Sequence, residues 1–260
     1  MDKVVKIDVK SLKCHHLHAL CTGDSLAIII PNFVQPEAID RAKEKLFFHQ
    51  DKGALRHAQE FTRLGIAYAE IKTDKIRQEY HQQAINNIQR IRNIFGELAS
   101  PIDNFRTLLD DIWLEGAHLL SVKKQKCFVG VCRYLTPDID LEPHIDNLEW
   151  TLPPNNDWIL QYQLSANIYM QVPDHGGELE IWSIQPSAQE YQRLQGKRHY
   201  GIHRHDMPEP DLVIKPQVRD LIILNPRFIH AVRPVKEQDR ITLSSFIGVI
   251  SENDPLIYWS

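Results

Sequence analysis

A histidine and a carboxylate two residues apart, in Pro143-His144-Ile145-Asp146, form a pattern able to do chemistry. On an extended segment, side chains two apart leave the same face, so both can reach one cation. A further histidine, His230, lies far along the chain. Two imidazoles and one carboxylate on one face of an octahedron leave three positions open, the donor set associated with non-haem iron(II). The triplet alone is a weak signal, because a chain with 13 histidines also contains His49-Gln50-Asp51, at the end of an expected helix and without strand context. Arg240 and Thr242 strengthen it. They follow His230 at the start of a long apolar segment and, two apart, share one face. The planar arginine fork matches a carboxylate and the threonine hydroxyl adds a hydrogen bond, which suits an anionic cosubstrate. Without His230, the same pair would be an exposed strand charge and a pleat filler.

More motifs follow these in order: Arg133-Tyr134, Ala166-Asn167-Ile168-Tyr169-Met170, Gly176-Gly177-Glu178-Leu179, Val213-Ile214-Lys215-Pro216, Asp220-Leu221-Ile222-Ile223-Leu224 and His230-Ala231-Val232-Arg233-Pro234-Val235. With Ile29-Ile30-Pro31-Asn32-Phe33 near the front, the chain from about residue 25 to 250 resembles the iron(II)/2-oxoglutarate-dependent oxygenase superfamily, in the prolyl 4-hydroxylase-like branch. Its size and pattern are also similar to stand-alone amino-acid hydroxylases and halogenases. The resemblance implies Fe(2+) held by His144, Asp146 and His230, a salt bridge from Arg240 to the distal carboxylate of 2-oxoglutarate assisted by Thr242, and O2 as oxidant. It sets Tyr134 where relatives often have a tyrosine near the cosubstrate, although a phenol on a core-facing strand serves packing equally well. Halogenases similar to this chain replace the carboxylate by glycine or alanine, whereas Asp146 is present here. The expected reaction is therefore hydroxylation or another oxygen-driven step on a small molecule, such as a free amino acid or biosynthetic intermediate. Two alternatives stand beside it: a hydroxylase of protein residues, and a cupin-like metal-binding protein without turnover.

Arg63, in Phe61-Thr62-Arg63-Leu64-Gly65, is a candidate for a substrate carboxylate on a lid, and Asn147 beside the metal motif is a second substrate candidate. The insertion from Leu148 to Asp157 suggests a covered mouth, and the segment with His199, His203 and His205 a loop above it. Cys14-His15-His16-Leu17-His18 and Cys21 have zinc-type residues without zinc spacing and no paired half, so an N-terminal helix is expected there. All four cysteines read as thiols.

These residues need elements to position them. An apolar run at Leu26–Ile30 leads through Pro31 into a helix over about 36–48. Ile76, Tyr80, Ala84, Ile88, Ile91 and Phe95 then recur at helical steps, and Ser100-Pro101 starts another helix. From Lys126 onward, short branched runs separated by turn residues predict strands at 127–134, 160–171, 178–184, 211–214, 220–224 and 240–250. The fold class expected is α+β: a double-stranded β-helix (jelly-roll, cupin-like) core over 126–250, buttressed by helices, with 1–125 mainly helical support, all in one domain over 1–260. A net charge of −4 gives no footprint for nucleic acid, despite the short run Lys123, Lys124 and Lys126. No apolar run approaches a membrane span and no secretory signal is visible, so the expected partner is a small-molecule substrate and the expected location the cytoplasm.

Overall fold

The computed structural model describes residues 3–56, 58–153 and 158–260. In chain order its main strands are β1 (Val4–Lys6), β2 (Ala27–Ile30), β3 (Thr62–Leu64), β4 (Val131–Leu135), β5 (Leu141–His144), β6 (Tyr162–Gln171), β7 (Leu179–Ile181), β8 (Leu212–Ile214), β9 (Leu221–Leu224), β10 (His230–Val232), β11 (Arg240–Val249) and β12 (Leu256–Trp259). The helices are α1 (Cys14–Thr22), α2 (Pro36–Lys45), α3 (Asp74–Phe95), α4 (Pro101–Ile112) and α5 (Ala188–Gln195).

The helix ends have visible causes. Thr73 caps α3 by accepting from the Ile76 N–H, and Ser100 caps α4 by accepting from the Asp103 N–H, with Pro101 in its first turn. Tyr80, Ala84, Ile88, Ile91 and Phe95 of α3 are buried, as their spacing requires.

A large sheet runs in the order β1-β2-β9-β6-β11-β4-β3, and a four-stranded sheet in the order β8-β7-β10-β5. Pairing in the large sheet sets Tyr169 opposite Thr242, Asn167 opposite Ser244, Arg133 opposite Thr242, and Arg63 opposite Arg133. Residues directly opposite share a face, so Arg63, Arg133, Asn167, Tyr169, Arg240, Thr242 and Ser244 all project from one side. That side meets the small sheet: Leu135, Tyr169, Ile222 and Leu224 form one apolar cluster with Leu179, Ile181, Ile214 and Val232. The opposite side, with Cys132, Tyr134, Ile241 and Leu243, packs in the larger cluster with α1 to α4.

The first 125 residues do more than support, because β1, β2 and β3 extend the large sheet itself. Gly176 anchors the turn before β7. Its φ is +77°, and a Cβ there would sit 1.9 Å from the Pro234 carbonyl oxygen, so only glycine fits. Among the described residues no helix is long and apolar enough to cross a membrane.

Candidate active site

His144 and His230 come from neighbouring strands of the small sheet. His230 pairs with His144 and Val232 with Leu141, so β5 carries one residue more than β10 over the same stretch. This bulge falls at Glu142-Pro143, where a proline lacking an N–H is tolerated, and it turns His144 to face His230. The ring centroids are 4.3 Å apart. Asp146 follows directly, with its backbone N–H donating to the Pro226 carbonyl at 2.9 Å. Its Oδ2 lies 3.9 Å from His144 Nε2 and 3.6 Å from His230 Nε2.

One donor atom from each of the three lies within 4.8 Å of the others, and among the described residues this is the only such group able to hold a metal. The opposite ring nitrogens are already engaged: His144 Nδ1 bonds the Glu142 carbonyl at 2.8 Å and His230 Nδ1 the Phe228 carbonyl at 3.1 Å. A carbonyl accepts only from a protonated nitrogen, which leaves the Nε2 lone pairs for a cation. Burial, with His230 beside it, lowers His144 to about 4, so its imidazole is neutral at pH 7. Burial works to raise the Asp146 carboxyl, yet His230, His144 and Arg133 hold it well below the usual carboxylate range. Two imidazoles and one carboxylate are a donor set that fits iron(II).

Arg240, His144, Asp146 and His230 line the same cavity. Arg240 is buried, one Nη donates to the Tyr169 hydroxyl at 3.0 Å, and its guanidinium lies 4.8 Å from the Tyr169 ring centroid. Its Nε is buried without any hydrogen-bond partner. A buried, unpaired guanidinium N–H calls for an acceptor, and a ligand carboxylate entering the cavity would satisfy it. Thr242 is on the same face, fully buried, with its hydroxyl 3.2 Å from Ser244 Oγ, which in turn donates to Asn167 Oδ1 at 2.8 Å.

Three expectations change. Tyr134 borders the cavity, but its hydroxyl is turned to the helical side, where it donates to the Leu46 carbonyl at 2.6 Å, and Lys52 covers its ring. Tyr169, in register with Thr242 on the other flank of β11, is the tyrosine whose hydroxyl meets Arg240. Arg63 lines the cavity but already holds a carboxylate, because Nε and Nη2 each donate at 2.9 Å to the fully buried Glu70. Its fork is consumed within the protein. Asn147 caps the turn Leu148–Trp150 by accepting from the Glu149 N–H, and it is not among the residues lining the cavity.

The loop over the mouth contributes Tyr200 in place of its histidines. Tyr200 lines the cavity, lies 5.2 Å from the His144 ring and meets Phe61 edge-on at 5.2 Å. His199 instead reaches Glu60, and His203 contacts Arg198. Residues 154–157 of the expected covering insertion lie outside the described residues. The control triplet His49-Gln50-Asp51 is a local turn, in which the Asp51 N–H donates to His49 Nδ1. Tyr200, Phe61, Arg133 and the Ser244–Asn167 pair were not identified from sequence as site residues. Only strand parity could have exposed the last two, since Arg133 and Asn167 lie an even number of residues from Leu135 and Tyr169.

The family model for the carrier-protein-independent halogenase WelO5 matches residues 1–260. The chain belongs to that family. The WelO5 family assignment places it in the iron(II)/2-oxoglutarate oxygenase superfamily. A curated relative, the L-isoleucine 3(1)-dioxygenase of Pantoea ananatis, is 23% identical over 202 residues; the match covers 69% of this chain and 66% of the relative, just under two thirds of its length. Among solved structures, an N-substituted L-amino acid dioxygenase from Burkholderia ambifaria in complex with 2-oxoglutarate (alpha-KG) shares the fold with a TM-score of 0.63 at 16% identity, covering 95% of this chain and 90% of that one. HygX from Streptomyces hygroscopicus, with nickel and 2-oxoglutarate bound, gives 0.53 at 13% identity over 92% and 88%. The WelO5 family is named for halogenation, so what this member does turns on position 146.

Proposed function

We propose that this chain is an iron(II)- and 2-oxoglutarate-dependent dioxygenase that hydroxylates a C–H bond of a free or N-substituted amino acid, and that it does not halogenate. One observation carries the reading: a His-Asp-His group and a buried guanidinium with an unpaired Nε line a single cavity. In this reading the facing sheets are the two halves of a double-stranded β-helix, jelly-roll core, and residues 1–260 form one domain.

His144, Asp146 and His230 hold the metal by Nε2, a carboxylate oxygen and Nε2. Bound iron(II) with 2-oxoglutarate supplies the activation of O2 for C–H oxidation. Arg240 receives the distal carboxylate of the cosubstrate, with Tyr169 fixing the guanidinium from its other side. Thr242, Ser244 and Asn167 continue the polar wall. Asp146 keeps the third donor position filled, so a halide has no vacated position to enter. Phe61 and Tyr200 cover the metal side of the cavity, where they exclude water and hold one C–H bond toward the metal. A purely structural metal site would have no use for the unpaired Arg240 Nε. The amino-acid substrate class is supported by the names of the Pantoea and Burkholderia relatives.

The test is to supply iron(II), 2-oxoglutarate, O2 and chloride with a panel of free and N-substituted L-amino acids, and to measure succinate and product mass. The expected product gains one oxygen atom with stoichiometric succinate. A chlorinated product would overturn the assignment of Asp146, and absence of succinate across the panel would overturn the amino-acid class.

A further inference from the structure

Three arginines share the inner face of the large sheet, and their partners differ. Arg63 is neutralised by Glu70. Arg240 meets the Tyr169 hydroxyl and has one orphaned N–H. Arg133 lies directly opposite both Arg63 and Thr242 in the ladder, lines the cavity and is half-buried. Its guanidinium has no hydrogen-bond or ion-pair partner among the described residues. Arg133 shares the cavity lining with His144, Asp146, His230 and Tyr200.

Glu70 already answers the charge of Arg63, whereas a half-buried cation without a counter-ion carries an uncompensated desolvation cost. Formal charge points to the missing partner. In the proposed holoenzyme iron(II) brings two positive charges and Asp146 removes one, while the imidazoles are neutral. Arg133 and Arg240 add two positive charges, and a keto-diacid takes two away. One positive charge remains, and Arg133 has no other anion to meet.

We infer that Arg133 binds a carboxylate of the substrate, so that the enzyme takes a small molecule bearing its own carboxylate in addition to the cosubstrate's two. This rests on the proposed function and names the side chain that recognises its substrate. The planar fork matches a carboxylate with two parallel hydrogen bonds. Tyr200, over the metal side of the same cavity, packs against the body of that molecule. Arg133 and Arg240 thereby divide the work: one orients the substrate beside the metal and the other holds the cosubstrate.

The experiment is anaerobic binding to the iron(II)-loaded protein, comparing wild type with Arg133→Met and Arg133→Lys. The probes are 2-oxoglutarate, then L-isoleucine and N-acetyl-L-leucine, and L-isoleucinol as the analogue without a carboxylate. Circular dichroism melts verify that each variant folds, and Arg133→Lys, which keeps the charge and loses the fork, serves if Arg133→Met does not fold. Wild type binds 2-oxoglutarate and prefers the amino acids to isoleucinol. Arg133→Met leaves 2-oxoglutarate affinity within about twofold and weakens the amino acids about 10- to 100-fold, the usual cost of a charge-assisted pair, down to the level of isoleucinol. A loss confined to 2-oxoglutarate overturns the inference by giving Arg133 to the cosubstrate. Unchanged binding of every probe, or a wild type that does not prefer the carboxylates, overturns it as well. Failure of wild type to bind iron and 2-oxoglutarate would instead refute the proposed function.

Discussion

At the scale of single residues, the site separates groups that complete their bonding within the chain from groups that do not. The Arg63 fork is closed on Glu70 and the Tyr134 hydroxyl on Leu46, whereas Arg240 Nε and the two histidine Nε2 atoms are directed into the cavity. Replacing Arg240 by Ala is expected to weaken 2-oxoglutarate binding about 10- to 100-fold, as loss of a hydrogen bond to a charged group does. Equilibrium dialysis with the iron-loaded protein would measure it, and an unchanged affinity would remove Arg240 from the site. Asp146→Gly is expected to abolish hydroxylation, read as loss of product oxygen by mass spectrometry. A variant that hydroxylates at the wild-type rate would show that the carboxylate is not a ligand.

The residue types of the metal group were legible in the sequence because His144, Asp146 and His230 stand in order with Arg240 and Thr242, which the second triplet at His49 lacks. For Tyr134, Arg63 and Asn147 the sequence could not show that their polar groups are engaged within the chain, because that depends on direction. Tyr134 and Tyr169 lie on the two strands that flank β11, and their opposite pleat parities are fixed by register with it, a long-range property. Arg63 lost its substrate role to Glu70, which lies seven positions on in a turn that the sequence does not announce.

At the scale of elements, β3 and the turn after it are fixed by that buried carboxylate. Glu70 accepts from the Arg63 fork and from the backbone N–H groups of Ala67 and Arg56. Burial alone would raise its pKa, but the Arg63 fork and the two backbone donors outweigh burial and lower it. A carboxyl whose pKa is depressed by folding stabilises the fold above its unfolded pKa, and the contribution disappears as pH falls through the folded value. Glu70→Gln is therefore expected to cost about 3–5 kcal/mol at pH 7, the usual cost of removing one partner from a buried pair. It should also flatten the acid limb of the stability curve. Urea melts between pH 3 and 7, roughly the carboxylate titration range, would show this, and a wild-type acid dependence in the variant would contradict it.

Gly176→Ala should lower the melting temperature, since its Cβ would meet the Pro234 carbonyl oxygen and φ is positive. An unchanged melt would mean that this turn relaxes freely. The long helices and strands were readable from periodicity and caps. The short strands β5 and β10, which carry the ligands, were not: three or four residues give no periodic signal, and a bulge interrupts their pairing.

At the scale of the whole molecule, two sheets with unequal duties explain why ligands and anchor are far apart in sequence. The small sheet supplies His144 and His230, the large sheet supplies Arg240, and the cavity lies between them. The helices stiffen the large sheet from outside, which keeps Arg240 at a fixed separation from the metal group. The overall α+β character followed from the order of helical and strand-like segments, but the contribution of β2 and β3 to the sheet did not, because those strands pair with residues more than 60 positions away. In the proposed function iron and 2-oxoglutarate bind together in this one cavity. Anaerobic addition of iron(II) and 2-oxoglutarate, followed by visible absorption, tests it most directly. The expected result is a weak metal-to-ligand charge-transfer band in the wild type that is lost in His144→Ala. No band in the wild type, or an equal band in His144→Ala, would contradict it.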